Sequence, residues 1–211
     1  GGNGIIATEA VARAPADGYT LLLATTSVIA IFPAITKVAY DPVKDLDPIA
    51  SVAANFLGIA VHPSVPAQTL KEFVTYAKAN PGKLSYGHAG VGSLNHLTGE
   101  LFKSLAGTPE IVQVPYRGAG PAMTDVISGQ IPMVVVAITA QALEFHRSGK
   151  MRILAVTSPK RLLGAPELPT AAEAGLPALK ATGVLGLLAP AGTPTPIVEQ
   201  VAQATRTALT E

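Results

Sequence analysis

The spacing of apolar positions changes repeatedly along the chain, and the changes fall at glycine and proline. Over 5–14 the apolar residues surround an early Glu9 and a late Arg13, the charge order that suits a helix dipole, and Pro15 closes the segment. A helix is predicted there. Asp17-Gly18 reads as a turn, and 19–24 is a leucine-dense run without helical polar positions, hence a buried strand. A short helix over 29–35, an aspartate-bearing loop over 40–47 and one or two strands over 49–61 follow. The strongest helical signal comes next: Thr69 can cap a segment in which Leu70, Phe73, Val74 and Ala77 share one face, and Asn80-Pro81-Gly82 stops it.

From there two units share one plan. A short strand over 84–86 runs into the small-residue loop Gly87-His88-Ala89-Gly90-Val91-Gly92-Ser93, and helical periodicity returns over 94–105. A strand over 111–114 likewise runs into Pro115-Tyr116-Arg117-Gly118-Ala119-Gly120 and a helix over 121–128. Apolar strands over 133–138 and 153–157 flank a helix over 141–147. A short capped helix over 170–174, a strand over 184–188 and a final helix over 196–209, with Ile197, Val201 and Ala204 on one face, complete the chain. Helix and strand alternate throughout, which predicts an α/β protein with parallel sheets.

Composition narrows the function classes. Of 211 residues, 48% are hydrophobic and 14% charged, enough apolar side chain for one large or two small cores and incompatible with disorder. Fifteen basic against fourteen acidic residues leave a formal charge of +1, without the basic excess that a nucleic-acid partner requires. The chain has no cysteine, so disulfides, thiolate metal sites and cysteine nucleophiles are excluded. Its longest apolar run, 183–191, is roughly half of the ~20 residues that span a bilayer, so no membrane insertion is expected. The opening Gly1-Gly2-Asn3-Gly4 has neither an initiator methionine nor a leader, and reads as the interior of a longer precursor.

The two loops are where chemistry is expected. Glycines let backbone N–H groups approach a ligand, and each loop precedes a helix whose positive end favours a carboxylate or phosphate. Crevices outside the carboxyl ends of strands are where open α/β sheets bind ligands. The plain alternative is that the loops are tight turns with an N-cap. Ser93 lacks the glycine two positions earlier that a hydrolase elbow needs, and Ser148-Gly149-Lys150 departs from a phosphate loop at Met151. His62, His88, His96 and His146 are dispersed, so no metal site is expected; His88 reads as a pocket wall and His146 as an exposed helix end. Ser93, His96 and Glu100 fall at helical spacing and keep a serine hydrolase open as an alternative.

Longer stretches carry a resemblance. In order along the chain stand Gly1-Gly2-Asn3-Gly4, Ala14-Pro15-Ala16-Asp17-Gly18-Tyr19-Thr20-Leu21-Leu22, Tyr40-Asp41-Pro42-Val43-Lys44-Asp45, Ala79-Asn80-Pro81-Gly82-Lys83-Leu84, Val114-Pro115-Tyr116-Arg117-Gly118 and Leu187-Leu188-Ala189-Pro190-Ala191-Gly192-Thr193-Pro194. Together they resemble the tripartite tricarboxylate transporter solute-binding proteins, the Bug or TctC-like family. The resemblance implies a type II periplasmic-binding-protein fold: two α/β domains, 1–57 plus 184–211 and 58–183, with a ligand cleft between them. It implies a periplasmic, monomeric receptor that captures a small organic acid and hands it to membrane transporter subunits, with no catalytic residue, cofactor or metal. A sensory co-receptor for a signalling kinase is the alternative. Carried over by motif, the ligand-binding residues are Thr25, Thr26 and Ser27 in the first domain and Gly87, His88, Ala89, Gly90, Ser93, Tyr116, Gly118, Ala119 and Gly120 in the second. Relatives carry further elements before the part matching Gly1 and after the part matching Glu211, so the chain reads as trimmed at both ends. Where many relatives have an Asp, Val136-Ala137-Ile138 stands here, which favours plain carboxylic acids over amino acids.

Overall fold

In the computed structural model residues 2–210 are described; Gly1 and Glu211, the outer ends of the expected first domain, lie outside them. The elements in chain order are α1 (Ile5–Ala12), β1 (Leu22–Thr25), α2 (Phe32–Ile35), β2 (Leu46–Val61), α3 (Leu70–Ala79), β3 (Ser85–His88), α4 (Leu94–Ala106), β4 (Val112–Pro115), α5 (Ala119–Ile127), β5 (Met133–Ala137), α6 (Ala140–Arg147), β6 (Arg152–Val156), β7 (Thr182–Pro190) and α7 (Thr195–Thr210). They divide into two units, Gly1–Asn55 with Gly183–Glu211, and Phe56–Thr182.

In the first unit β1 pairs antiparallel with β7, Leu22 opposite Leu188 and Thr25 opposite Leu185. Leu22 and Ala24 turn inward while Leu23 and Thr25 face out, so the leucine-dense run is half-buried rather than buried on both faces. Val11, Val28, Phe32 and Leu46 complete this core. The helix expected over 29–35 begins earlier and changes pitch. Pro33 has no N–H to return to the preceding turn, and Phe32 donates five residues back to Ser27 over a wide turn at Ser27–Ile31 before α2 starts.

In the second unit the strand order is β6-β2-β5-β3-β4. β3 is parallel to β4 and β5, whereas β2 is antiparallel to both β5 and β6. The expectation of parallel sheets is corrected at β2, as it is at the β1–β7 pair. Helix-strand alternation fixes the direction of strands joined by crossovers, but β2 enters between β5 and β6 without one. β5 is an unbroken apolar run buried on both faces, with Met133 and Val135 on one side and Val134 and Val136 on the other. The first face is covered by α3 and α4 through Phe73 and Phe102, whose stacked rings have centroids 6.1 Å apart. Full burial of one such ring contributes roughly 2–3 kcal/mol. The second face is covered by Ala122, Met123 and Val126 of α5 and Ala142 of α6.

Three smaller expectations change. α5 starts two residues before Pro121. Residues 170–174 form one turn rather than a helix, because Ala171 donates instead to Val156 on β6 and Thr170 bridges to the same residue. His146 is half-buried, its Nδ1 accepting the Ile153 N–H at 3.2 Å, and does not fray into solvent.

Candidate functional site

β3 and β4 lie side by side with His88 opposite Pro115, so the loops that follow them leave the same end of the sheet as neighbours. The first loop is short. β3 runs to His88, two residues beyond its expected end, and the chain turns over 89–92 into α4. Gly90 has φ +123°, a conformation that side-chain-bearing residues rarely adopt. Ser93 caps α4, its Oγ accepting the His96 N–H at 3.2 Å, a bond typically worth ~1 kcal/mol.

Two imidazoles hold the turn from inside. His88 is fully buried; its Nδ1 accepts the Gly90 N–H at 3.2 Å and its Nε2 pairs with Gln113 Oε1 of β4. His96 does the same one turn on, its Nδ1 accepting the Gly92 N–H at 3.3 Å. The rings lie 4.6 Å apart, tilted by 43°. A nitrogen that accepts an N–H carries no proton, so both rings are neutral with their protons on Nε2. Two of the N–H groups that the sequence reading offered to a ligand are therefore occupied within the protein. The sequence does hold a signal for this. A histidine two residues before a glycine can act as an Asp or Asn does in an Asx-turn, and His62 does so with the Ser64 N–H at 3.2 Å.

Beneath the rings Tyr86 is fully buried and donates its hydroxyl to Glu100 Oε1 at 2.7 Å; Glu100 also pairs with Lys103 Nζ at 3.0 Å. Burial pushes the Tyr86 phenol up, and Glu100 adds to it. Burial also pushes Glu100 up, but the Tyr86 hydroxyl and the Lys103 ammonium outweigh it and hold the carboxyl below its usual range. His96 is held below the usual imidazole range by burial first, then by His88, with Lys103 adding to this and Glu100 opposing it.

The second loop differs. The Tyr116 ring covers Gly87, where a Cβ would lie 3.2 Å from it and 2.6 Å from Ile131. The Tyr116 hydroxyl donates to Asp125 at 2.6 Å, and burial together with that carboxylate pushes its pKa up to about 12. Beyond Tyr116 the chain opens. Gly118 caps α5 with φ 151° and ψ 170°, a region open to glycine alone, and no side chain accepts from the first turn. Space is clear around Gly118 and Gly120, Ala119 is half-buried between them, and Arg117 is exposed without an ion pair among the described residues. Helix dipole, first-turn N–H groups without a side-chain cap and a guanidinium make this an electropositive corner.

Thr25, Thr26 and Ser27 belong to the first unit, at the end of β1. Thr26 Oγ1 accepts the Val184 N–H at 2.8 Å. Thr25 and Thr26 line a largely apolar groove of about 330 Å³ with Ile29, Pro48 and Leu187. Among the described residues no three His, Asp or Glu side chains converge as metal ligands would, and no helix is long and apolar enough to cross a membrane.

The model of the Tripartite tricarboxylate transporter family receptor, TctC, matches residues 1–211. The chain belongs to this family. Over 200 residues it is 39% identical to a UPF0065 protein of Bordetella bronchiseptica, covering 94% of this chain and 58% of that protein. The chain thus spans about three fifths of the length of that TctC-family relative. A solved structure of a periplasmic transporter superposes with a TM-score of 0.93 at 40% identity, over 98% of this chain and 69% of that one. The R. palustris protein Rpa4515, solved with adipate, gives 0.91 at 35% identity over 97% and 68%. MatC from Rhodopseudomonas palustris, solved with bound malate, gives 0.88 at 31% identity over 99% and 70%. The resemblance drawn from the sequence holds, and the α/β fold is that of the TctC family's periplasmic binding proteins.

Proposed function

We propose that the chain is the ligand-capturing receptor of a tripartite tricarboxylate-type transporter: a periplasmic monomer that encloses a small mono- or dicarboxylate and delivers it to the membrane subunits without chemical change. The observation that carries this reading is the uncapped, open N-terminus of α5 beside Arg117, at the carboxyl end of β4. Gly118, Ala119 and Gly120 take a carboxylate oxygen there, with Ala89, Gly90 and Ser93 of the neighbouring loop shaping the wall and Gly87, His88 and Tyr116 supporting it from beneath. In the first unit, Thr25, Thr26 and Ser27 are the residues assigned to ligand binding. Relatives solved with adipate and with malate support an organic acid as ligand.

Turnover is disfavoured by what the candidate nucleophile does. Ser93 Oγ is engaged as a helix cap, His96 Nδ1 holds a backbone amide, and Glu100 is turned to Tyr86 and Lys103 instead of orienting the imidazole. The test is native mass spectrometry of the full-length receptor as purified, followed by thermal shift with adipate, malate, sugars and nucleotides. A retained small acid, and stabilisation of ~2.7 kcal/mol at a hundred times Kd, are expected with acids alone. Stabilisation by sugars or nucleotides and by no acid overturns the reading.

A further inference from the structure

We propose that His88 and His96 are the positioning residues of the glycine loop: they hold Gly90 and Gly92 through Nδ1, and protonation of the His96 ring releases Gly92 and weakens anion capture. The inference rests on the reading that the N-terminus of α5 takes a carboxylate and that the glycine loop forms the wall beside it.

The geometry leaves a protonated ring no equivalent arrangement. A proton on His96 Nδ1 turns the acceptor that holds the Gly92 amide into a second donor, so two N–H groups would face each other across 3.3 Å. Turning the His88 ring over would put a carbon where Nδ1 stands and would also give up Gln113, in a place with no exposure to water. The loop must move instead, and with it the residues that lead into α4.

The groups facing the pair are few. Tyr86 stands behind His88 on β3, with ring centroids 5.5 Å apart, Gln113 meets it from β4, and Glu100 and Lys103 face His96 on its own helix. α4 is tied to β5 through Asn95, whose amide donates to Val135 O at 2.9 Å, a neutral contact. Burial and the neighbouring ring hold His96 on the acid side of its usual range, so release belongs to mildly acidic pH. The sign separates this from simple electrostatics. An imidazolium near an anion site would tighten binding as pH falls, whereas loss of the loop's anchors weakens it.

The test combines two measurements on the full-length receptor. Nitrogen-15 spectra of labelled histidine and glycine between pH 7.5 and 5.5 report the tautomers and the Gly90 and Gly92 amides. Calorimetric titration with adipate and with malate at both ends of the range reports capture. At pH 7.5 both rings should carry their proton on Nε2, and the Gly92 amide signal should move together with His96 titration. Affinity should fall about fivefold on acidification relative to His96→Asn, which keeps an acceptor at the δ position, takes up no proton, and carries whatever the acid's own protonation contributes. His96→Asn should keep most of the affinity at pH 7.5, and His96→Leu should lose about fivefold at both pH values. A proton on Nδ1 at pH 7.5, a His96 ring that stays neutral throughout, a Gly92 amide indifferent to that ring, or affinity that rises on acidification in the wild type but not in His96→Asn would each overturn the proposal. If neither acid binds at any pH, the carboxylate reading fails, and the spectra still decide whether the rings hold the loop.

Discussion

Gly99 sits on the buried face of α4 directly over Tyr86. A Cβ there would lie 2.3 Å from Cε2 and 2.5 Å from Cζ of a ring that is fully buried and tethered by its hydroxyl to Glu100. Alanine is the better helix former by ~1 kcal/mol, but overpacking a rigid core costs about 1–3 kcal/mol. Gly99→Ala should therefore destabilise the protein in urea titrations, and Tyr86→Leu in the same background should recover part of the loss. A more stable Gly99→Ala would show that Tyr86 gives way freely. Nothing in the sequence marks this glycine, because periodicity places it on the buried face without saying what presses on it. Gly90 is different. Its place between a strand and a capped helix, among small residues, calls for either a positive φ or a close backbone approach to a ligand, and φ is +123°. The two-residue spacing allows His88 to take the Gly90 amide, and the ring rotamer, which spacing does not encode, decides that it does.

Among the helices, the caps separate structure from binding. Thr69 and Glu72 form a reciprocal box on α3: Thr69 Oγ1 accepts the Glu72 N–H at 3.2 Å, and Glu72 Oε2 accepts the Gln68 N–H at 2.7 Å. Thr139 caps α6 and Ser93 caps α4. α5 has no such cap. Gly120→Asp places a carboxylate at its first turn, where nothing lies within 4 Å of the new Cβ. Stability should rise by about 0.3–1 kcal/mol from the helix dipole, while binding of an organic acid is lost to like charge. Thermal unfolding and calorimetry on one variant read both signs; unchanged affinity would remove α5 from the site. The elements themselves were largely legible, because apolar spacing and the Gly and Pro stops are local. Their pairing was not: β2 takes its place between β5 and β6 through packing of both its faces, which no local signal records. The single turn at 170–174 escapes local spacing for the same reason, since the Ala171 amide pairs with a distant strand.

For the whole molecule the charge balance predicts how stability responds to acid. With a formal charge of +1 there is little net self-repulsion near neutrality, and the pairs Lys44–Asp41, Arg147–Glu167 and Arg161–Glu173 are exposed, where such bridges contribute ~0–1 kcal/mol and fade with salt. Asp41 and Glu173 are also held below the usual carboxylate range, first by the Val43 and Thr170 N–H groups, but their carboxylates are open to water, so the half-buried groups on α4 carry more of the acid response. His96 and Glu100 both have pKa values lowered by folding, so in each case the unfolded chain binds protons first. The stability due to His96 is complete above its unfolded value of 6.5 and is lost as pH falls from there toward its folded value. The stability due to Glu100 is complete above 4.5 and is lost below it. Two steps are therefore expected in urea stability measured from pH 8 to 3: a first decline opening near 6.5 and a second near 4.5. His96→Asn should remove its share of the upper step and leave the lower one. Glu100→Gln should lower stability at neutral pH, because Lys103 loses its partner, and should flatten the lower step. A single decline below 4.5 that His96→Asn leaves unchanged would mean that the ring's burial is relieved by local opening rather than resisted by the fold. The same upper step would then be absent from ligand binding, since the imidazole that anchors the loop is also the one whose neutral form the fold selects.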